Sequence, residues 1–172
     1  MNNPNGLFSL FLKTIVLILG GVLLFGGCET PPALVPEVSC TSAGFQPVLI
    51  RFGGLTEILR DKETKKPTAL RVFLELRDRF DSRLKVPFRV RFELYRYQVS
   101  GSNPKGAHLK SWPEQVLTEA GTNNLYWRDY LRAYEFLLDL EGAVAEEPLL
   151  LSATCRTAEG MSLETVYVLP TN

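Results

Sequence analysis

Two stretches of strict alternation constrain this chain more than anything else in it. In ALRVFLELR (69–77), Leu70, Val72, Leu74 and Leu76 fall on one side of an extended chain, and Arg71, Phe73, Glu75 and Arg77 fall on the other. FRVRFELYRYQV (88–99) repeats the arrangement, with Phe88, Val90, Phe92 and Leu94 opposed to Arg89, Arg91, Glu93 and Tyr95. Successive side chains of a strand point to opposite faces, so a period of two commits both stretches to half-buried strands. Pro87 has no N–H to give to a ladder, which places it at the start of its strand or on an edge.

The same signal recurs more weakly along the chain. VLIRF (48–52) and LTEIL (55–59) flank the turn pair Gly53-Gly54, and YEFLLDL (134–140) alternates Tyr134, Phe136, Leu138 and Leu140. LLLSATCRT (149–157) and MSLETVYVL (161–169) read as a hairpin around Ala158-Glu159-Gly160. AHLKSW (107–112) reads as a short strand ended or bent by Pro113, while PEQVLTEA (113–120) is open between a helical turn and an irregular edge strand. The expected fold class is all-β, an antiparallel β-sandwich of about seven to eight strands over residues 48–172. With 69–77 and 88–99 as a central hairpin, pairing 75 with 89 and 71 with 93 would set each glutamate opposite an arginine. Phe73 would then meet Arg91. In strand count and pattern the body resembles immunoglobulin-like and transthyretin-like sandwiches, and such a resemblance implies a fold rather than an activity.

The first 27 residues follow a different plan. A polar start, MNNPNG, leads through LFSLFLK into the apolar run TIVLILGGVLLF (14–25), and Gly26-Gly27-Cys28 follows directly. A weakly positive start, an apolar stretch and small residues are the three parts of a secretory signal. The apolar run alone is shorter than the roughly 20 residues a spanning helix needs. Counted from Leu7 it reaches that length, so an uncleaved anchor is the rival reading. Small residues before a cysteine at the end of an apolar run resemble the lipobox of bacterial lipoproteins, with Phe25 where that family usually has Leu. The resemblance covers about 28 residues. It implies that residues 1–27 are a signal peptide, that Cys28 is lipidated, and that the protein is held on a membrane of the cell envelope facing the periplasm. Which membrane, inner or outer, is left open. Residues 28–47 carry four prolines and little periodicity, the composition of an extended tether.

If Cys28 carries lipid, Cys40 and Cys155 are the two cysteines left, and an oxidising envelope permits one bridge between them. The alternative is a buried Cys155 thiol and a free Cys40. The 19 basic residues are matched by 19 acidic ones, and Lys13 is the one charged side chain before Cys28. A neutral chain lacks the cationic field that bulk nucleic-acid binding requires, so no nucleic-acid partner is expected.

Chemistry finds little to stand on. His108 is the single histidine, no C-x-x-C or H-x-x-x-H spacing exists, and neither a nucleotide-binding glycine motif nor a G-x-S-x-G elbow is present. No metal, cofactor or catalytic residue is expected. Asp78 and Asp81 share one turn, where aspartates ordinarily bond the local backbone. Two features remain as candidate binding sites. Arg71, Arg89 and Arg91, with Arg77, lie on the polar faces of the alternating strands and would suit an anionic envelope partner, or else form a solvated, internally paired face. Trp112, Tyr126 and Trp127 would suit sugar stacking or a protein contact if exposed, or else plug the end of the core. The expectation is therefore a non-enzymatic, lipid-anchored envelope protein whose sandwich has an interaction or structural role, with an envelope protein or polysaccharide as partner. A glycan-binding module using the loop aromatics is the alternative, and a hydrolase the weakest. Exposed Trp112 or Trp127 would favour the glycan module; burial of both would favour the structural one.

Overall fold

A computed structural model of the chain describes residues 45–99, 103–141 and 148–170. The signal segment, Cys28, Cys40 and the tether up to residue 44 lie outside the described residues.

Among the described residues the chain forms two antiparallel sheets and one short helix. The first, six-stranded sheet is built on β3 (Pro67–Arg77). On one side β3 pairs with β1 (Leu49–Phe52) and β2 (Glu57–Arg60); on the other it pairs with β9 (Ala133–Asp139) and the two-residue β4 (Arg83–Leu84). The two-residue β8 (Trp127–Arg128) extends β9. The second, five-stranded sheet is built on β5 (Phe88–Tyr97). Here β10 (Leu149–Thr157) lies along one side, followed by β11 (Ser162–Val168), while β6 (Lys105–Ser111) and β7 (Gln115–Leu117) share the other. The all-β sandwich read from the alternation is the fold of the described chain.

The alternating residues do what their period requires. Leu70, Val72, Leu74 and Leu76 of β3 and Phe88, Val90, Phe92 and Leu94 of β5 are all buried in one core with Leu151, Ala153 and Cys155 of β10. Aromatic edges meet at its centre: Phe92 against Phe136 at 5.0 Å and Phe88 against Tyr134 at 4.7 Å, within the range where edge-to-face pairs add to simple burial. Pro87 immediately precedes β5, where its missing N–H costs no ladder bond.

Two edges are interrupted, the first bridged by a side chain and the second by the backbone. Between β1 and β2, the buried Thr56 hydroxyl accepts the Phe73 N–H at 3.1 Å, and the Gly53 N–H reaches the Phe73 carbonyl at 2.8 Å. Between β6 and β7, the Trp112 N–H bonds the Phe92 carbonyl at 3.1 Å before Pro113 ends the pairing. At the β10–β11 turn, Gly160 takes φ +84°, a left-handed conformation that favours glycine.

The structure corrects one expected pairing. β3 and β5 do not form a hairpin; they are the central strands of different sheets. The segment between them turns on Asp78, whose carboxylate accepts the N–H groups of Phe80 and Ser82 at 2.8 and 2.9 Å. Instead of folding β5 back beside β3, this turn carries the chain across to the other sheet. The segment after β7, left open between helix and edge strand, resolves into β7 itself and then a helix, α1 (Ala120–Tyr126), beyond Leu117.

Candidate functional site

The outer face of the six-stranded sheet is crossed by two ladders of alternating charge. Along the first, Glu57 on β2 pairs with Arg71 on β3 at 3.0 Å, Arg71 with Glu135 on β9 at 3.6 Å, and Glu135 with Arg128 on β8 at 2.6 Å. In the second, Arg83 on β4 lies 3.0 Å from Glu75, which also accepts Arg77 Nε–H at 2.9 Å, and Arg77 reaches Asp81 at 2.8 Å. Phe73, Glu75 and Arg77 point away from the core yet are buried. Burial alone would destabilise the Arg77 cation, but hydrogen bonds to Glu75 and Asp81 outweigh it and raise its pKa above the usual value. Every arginine in these ladders has a carboxylate partner, so Arg71 is not a free anion-binding group.

Over Phe73 and Glu75 opens a cleft of about 210 Å³ with Leu55 on one wall and Tyr130 and Leu131 on the other. Tyr130 is 82% exposed, which makes it the displayed aromatic of the 126–134 segment. Nothing in the alternation signals this residue, because it lies in the turn between β8 and β9.

The candidate tryptophans are correspondingly relocated. Trp112 is 6% exposed and Trp127 9%. Each indole N–H is already committed, Trp112 to the Asp139 carbonyl at 2.9 Å and Trp127 to the Asp129 carboxylate at 2.7 Å. Tyr126 packs on Phe136 at 5.0 Å and bonds Gln115 at 3.1 Å. All three side chains pack into or against the core, the second of the two readings the sequence left open, and form no exposed stacking platform.

The outer face of the five-stranded sheet is organised differently. Arg89 and Arg91 of β5 lie there, as alternation predicts, and the β5–β10 register sets Arg156 directly opposite Arg89 and Thr154 opposite Arg91. All three arginines are exposed. Arg89 has Glu114 at 3.7 Å, while no described carboxylate pairs with Arg91 or Arg156. The other carboxylates of this face are engaged: Glu93 accepts the Tyr95 hydroxyl at 3.0 Å, and Glu164 pairs with Lys105 and accepts Ser152 at 3.2 Å. The Lys105 hydrogen bond leads the causes that lower the Glu164 pKa. Arg156 was not among the sequence candidates, because its place beside Arg89 depends on which strand neighbours β5.

His108 is exposed on β6, with Nε2 2.7 Å from the Ser111 hydroxyl and its ring against Tyr95 at 5.3 Å. Cys155 is a thiol buried in the core with no disulfide partner among the described residues, and burial pushes its pKa up to about 12. Its suggested bridging partner, Cys40, lies outside the described residues. Among the described residues no group of three or more His, Cys, Asp and Glu side chains is arranged to hold a metal ion. No helix there is long and apolar enough to cross a membrane. The chain matches no protein-family model, no curated protein and no solved structure.

Proposed function

We propose that this chain is a non-enzymatic lipoprotein of a bacterial envelope, anchored through Cys28 and facing the periplasm, whose β-sandwich serves as an interaction or structural module. The address rests on the apolar run and Gly26-Gly27-Cys28; two or more acyl chains would hold it durably where one would not. The observation that supports the module over a glycan-stacking domain is the burial of Trp112 and Trp127 with both indole N–H groups bonded inside the fold. Large rigid side chains placed in the core stiffen the sandwich and leave its sheet faces as the contact surface. An exposed His108 hydrogen-bonded to Ser111 adds no argument for hydrolysis.

Two measurements test the reading together. Intact mass of the membrane-extracted protein should show a chain beginning at a lipid-modified Cys28, whereas a chain still starting at Met1 with an unmodified Cys28 overturns the anchor. Crosslinking of the full protein in its native membrane should join it to a second protein, and a protein that never crosslinks to another macromolecule overturns an interaction role.

A further inference from the structure

Most arginines on the outer face of the six-stranded sheet are paired with carboxylates, the exposed Arg51 of β1 being an exception, whereas Arg91 and Arg156 on the five-stranded sheet have no described carboxylate partner. On the six-stranded sheet Arg71, Arg77, Arg83 and Arg128 are each held by a carboxylate on a neighbouring strand or turn. On the five-stranded sheet Arg89 and Arg156 occupy directly opposed ladder positions, and Arg91 stands two residues along β5 on the same face. Like charges directly opposite one another destabilise a sheet, and Glu114 at 3.7 Å relieves only Arg89. A serine, threonine or glutamate at 156 would remove that repulsion with no loss of core packing, because the side chain points outward. The face around the cluster is partly apolar: Val116 sits beside Arg89, and Val166 lies on β11 next to Ser152, both more than 40% exposed.

We propose that this face, centred on Arg89, Arg91 and Arg156, docks an acidic segment of a partner protein. The partner's carboxylates take up the guanidinium forks, and its small apolar side chains cover Val116 and Val166. Guanidinium groups match carboxylates in paired, planar hydrogen bonds and are the charged groups most favoured at protein contacts. A lipid surface fits less well. Glu93, Glu114 and Glu164 share the face with the arginines and would meet a uniformly anionic bilayer unfavourably, whereas a protein can place its carboxylates at three points and avoid the rest. The proposal rests on the interaction reading above and specifies where and with what chemistry the contact is made.

The test uses the full chain in its native membrane with Arg156→Lys and, separately, Arg91→Lys. A water-soluble carbodiimide then joins a lysine amine to an adjacent carboxylate; it leaves arginine uncoupled and also activates phosphates. The expected result is a protein-sized adduct, mapped to position 156 or 91 and to an Asp or Glu of the same partner from both variants. Adding Arg89→Glu should reduce its yield by about tenfold, the scale of one lost charge-assisted contact at an interface. Arg156→Glu alone should fold and melt at least as high as the parent, since it faces Arg89 with an opposite charge, yet should lose the partner in native-membrane crosslinking. A lipid-sized adduct, coupling only to carboxylates of this chain, or no adduct at either position overturns the proposal. If other lysines, such as Lys62 in the β2–β3 turn, crosslink a partner while positions 91 and 156 do not, this face is wrong and the interaction reading stands. If no position crosslinks a partner, both fall.

Discussion

The phenol of Tyr134, wholly buried on β9, lies 3.1 Å from Asn123 Oδ1 on α1, and the two side chains together tie three segments to the end of the sandwich. Asn123 donates both amide hydrogens, to the carbonyls of Val86 at 2.9 Å and Leu117 at 3.0 Å, while the Tyr134 oxygen accepts the Val86 N–H at 3.0 Å. Every polar atom of the pair is satisfied where water does not reach, the condition under which a buried polar group stabilises rather than costs.

Removing the phenol oxygen should therefore do more than delete one bond. Tyr134→Phe keeps the ring on Phe88 and Trp127 but strands the Val86 N–H and the Asn123 carbonyl oxygen. The expected loss is about 2 kcal/mol in chemical unfolding, the scale for orphaning buried polar groups. Asn123→Ala should cost at least as much, and the double variant should fall short of the sum because the two share a network.

Glu75 is the hinge of the second charge ladder. Glu75→Gln should destabilise by about 3 kcal/mol, at the lower end for breaking a buried ion pair because Arg77 retains Asp81. Coupling it with Arg77→Met should restore part of that loss, since no buried charge is then left without its partner. Urea denaturation of the two single variants and the double variant measures both effects.

Acid titration should separate two kinds of depressed carboxyl. Hydrogen bonds from Lys110 and Lys105 lead the causes that hold Asp139 and Glu164 below their usual pKa, and their charges add to it. For Asp61 the leading cause is the Thr64 backbone N–H, at 2.7 Å. A depressed folded pKa means that stability is present above the unfolded value, near 4, and is lost as pH falls through the folded one. Side-chain carbon shifts followed by NMR should place all three below the usual carboxylate range. Salt should move Asp139 and Glu164 toward normal and leave Asp61 nearly unchanged, because screening acts on charges and not on a short backbone bond.

Cys155 should resist alkylating reagents in the native protein. Its thiol is buried on β10 and its pKa is pushed up to about 12, so at neutral pH almost none is thiolate and none is accessible. Labelling without reductant should appear in denaturant and track the unfolding transition. Labelling that appears only after reduction would instead reveal a bridge.

The strands were legible because their signal is local. Residues 149–157 form β10 in full, and the alternating faces of β3 and β5 are the buried and outward faces observed. The helix α1 was less so: AGTNNLY has a glycine and no side-chain N-cap bond, and it forms where Asn123 can satisfy Val86 and Leu117. Of the candidate site, Arg89 and Arg91 were readable from their outward positions. Arg156 was not, because its place beside Arg89 depends on which strand neighbours β5.

What the sequence alone determined is the period of two, and with it the class of the fold and the side of each strand that enters the core. A side chain's direction along a strand follows from backbone geometry and is independent of distant residues. Pairing is not. β3 and β5 carry equally good alternation and compatible charges, yet each lies in its own sheet, because facing sheets bury Leu74 and Phe92 in one core while a hairpin would leave their apolar sides to find other cover. Tertiary structure alone decided that Arg71 and Arg77 are neutralised in ladders, that Trp112 and Trp127 are interior, and that Arg89 faces Arg156 across a solvent-exposed sheet.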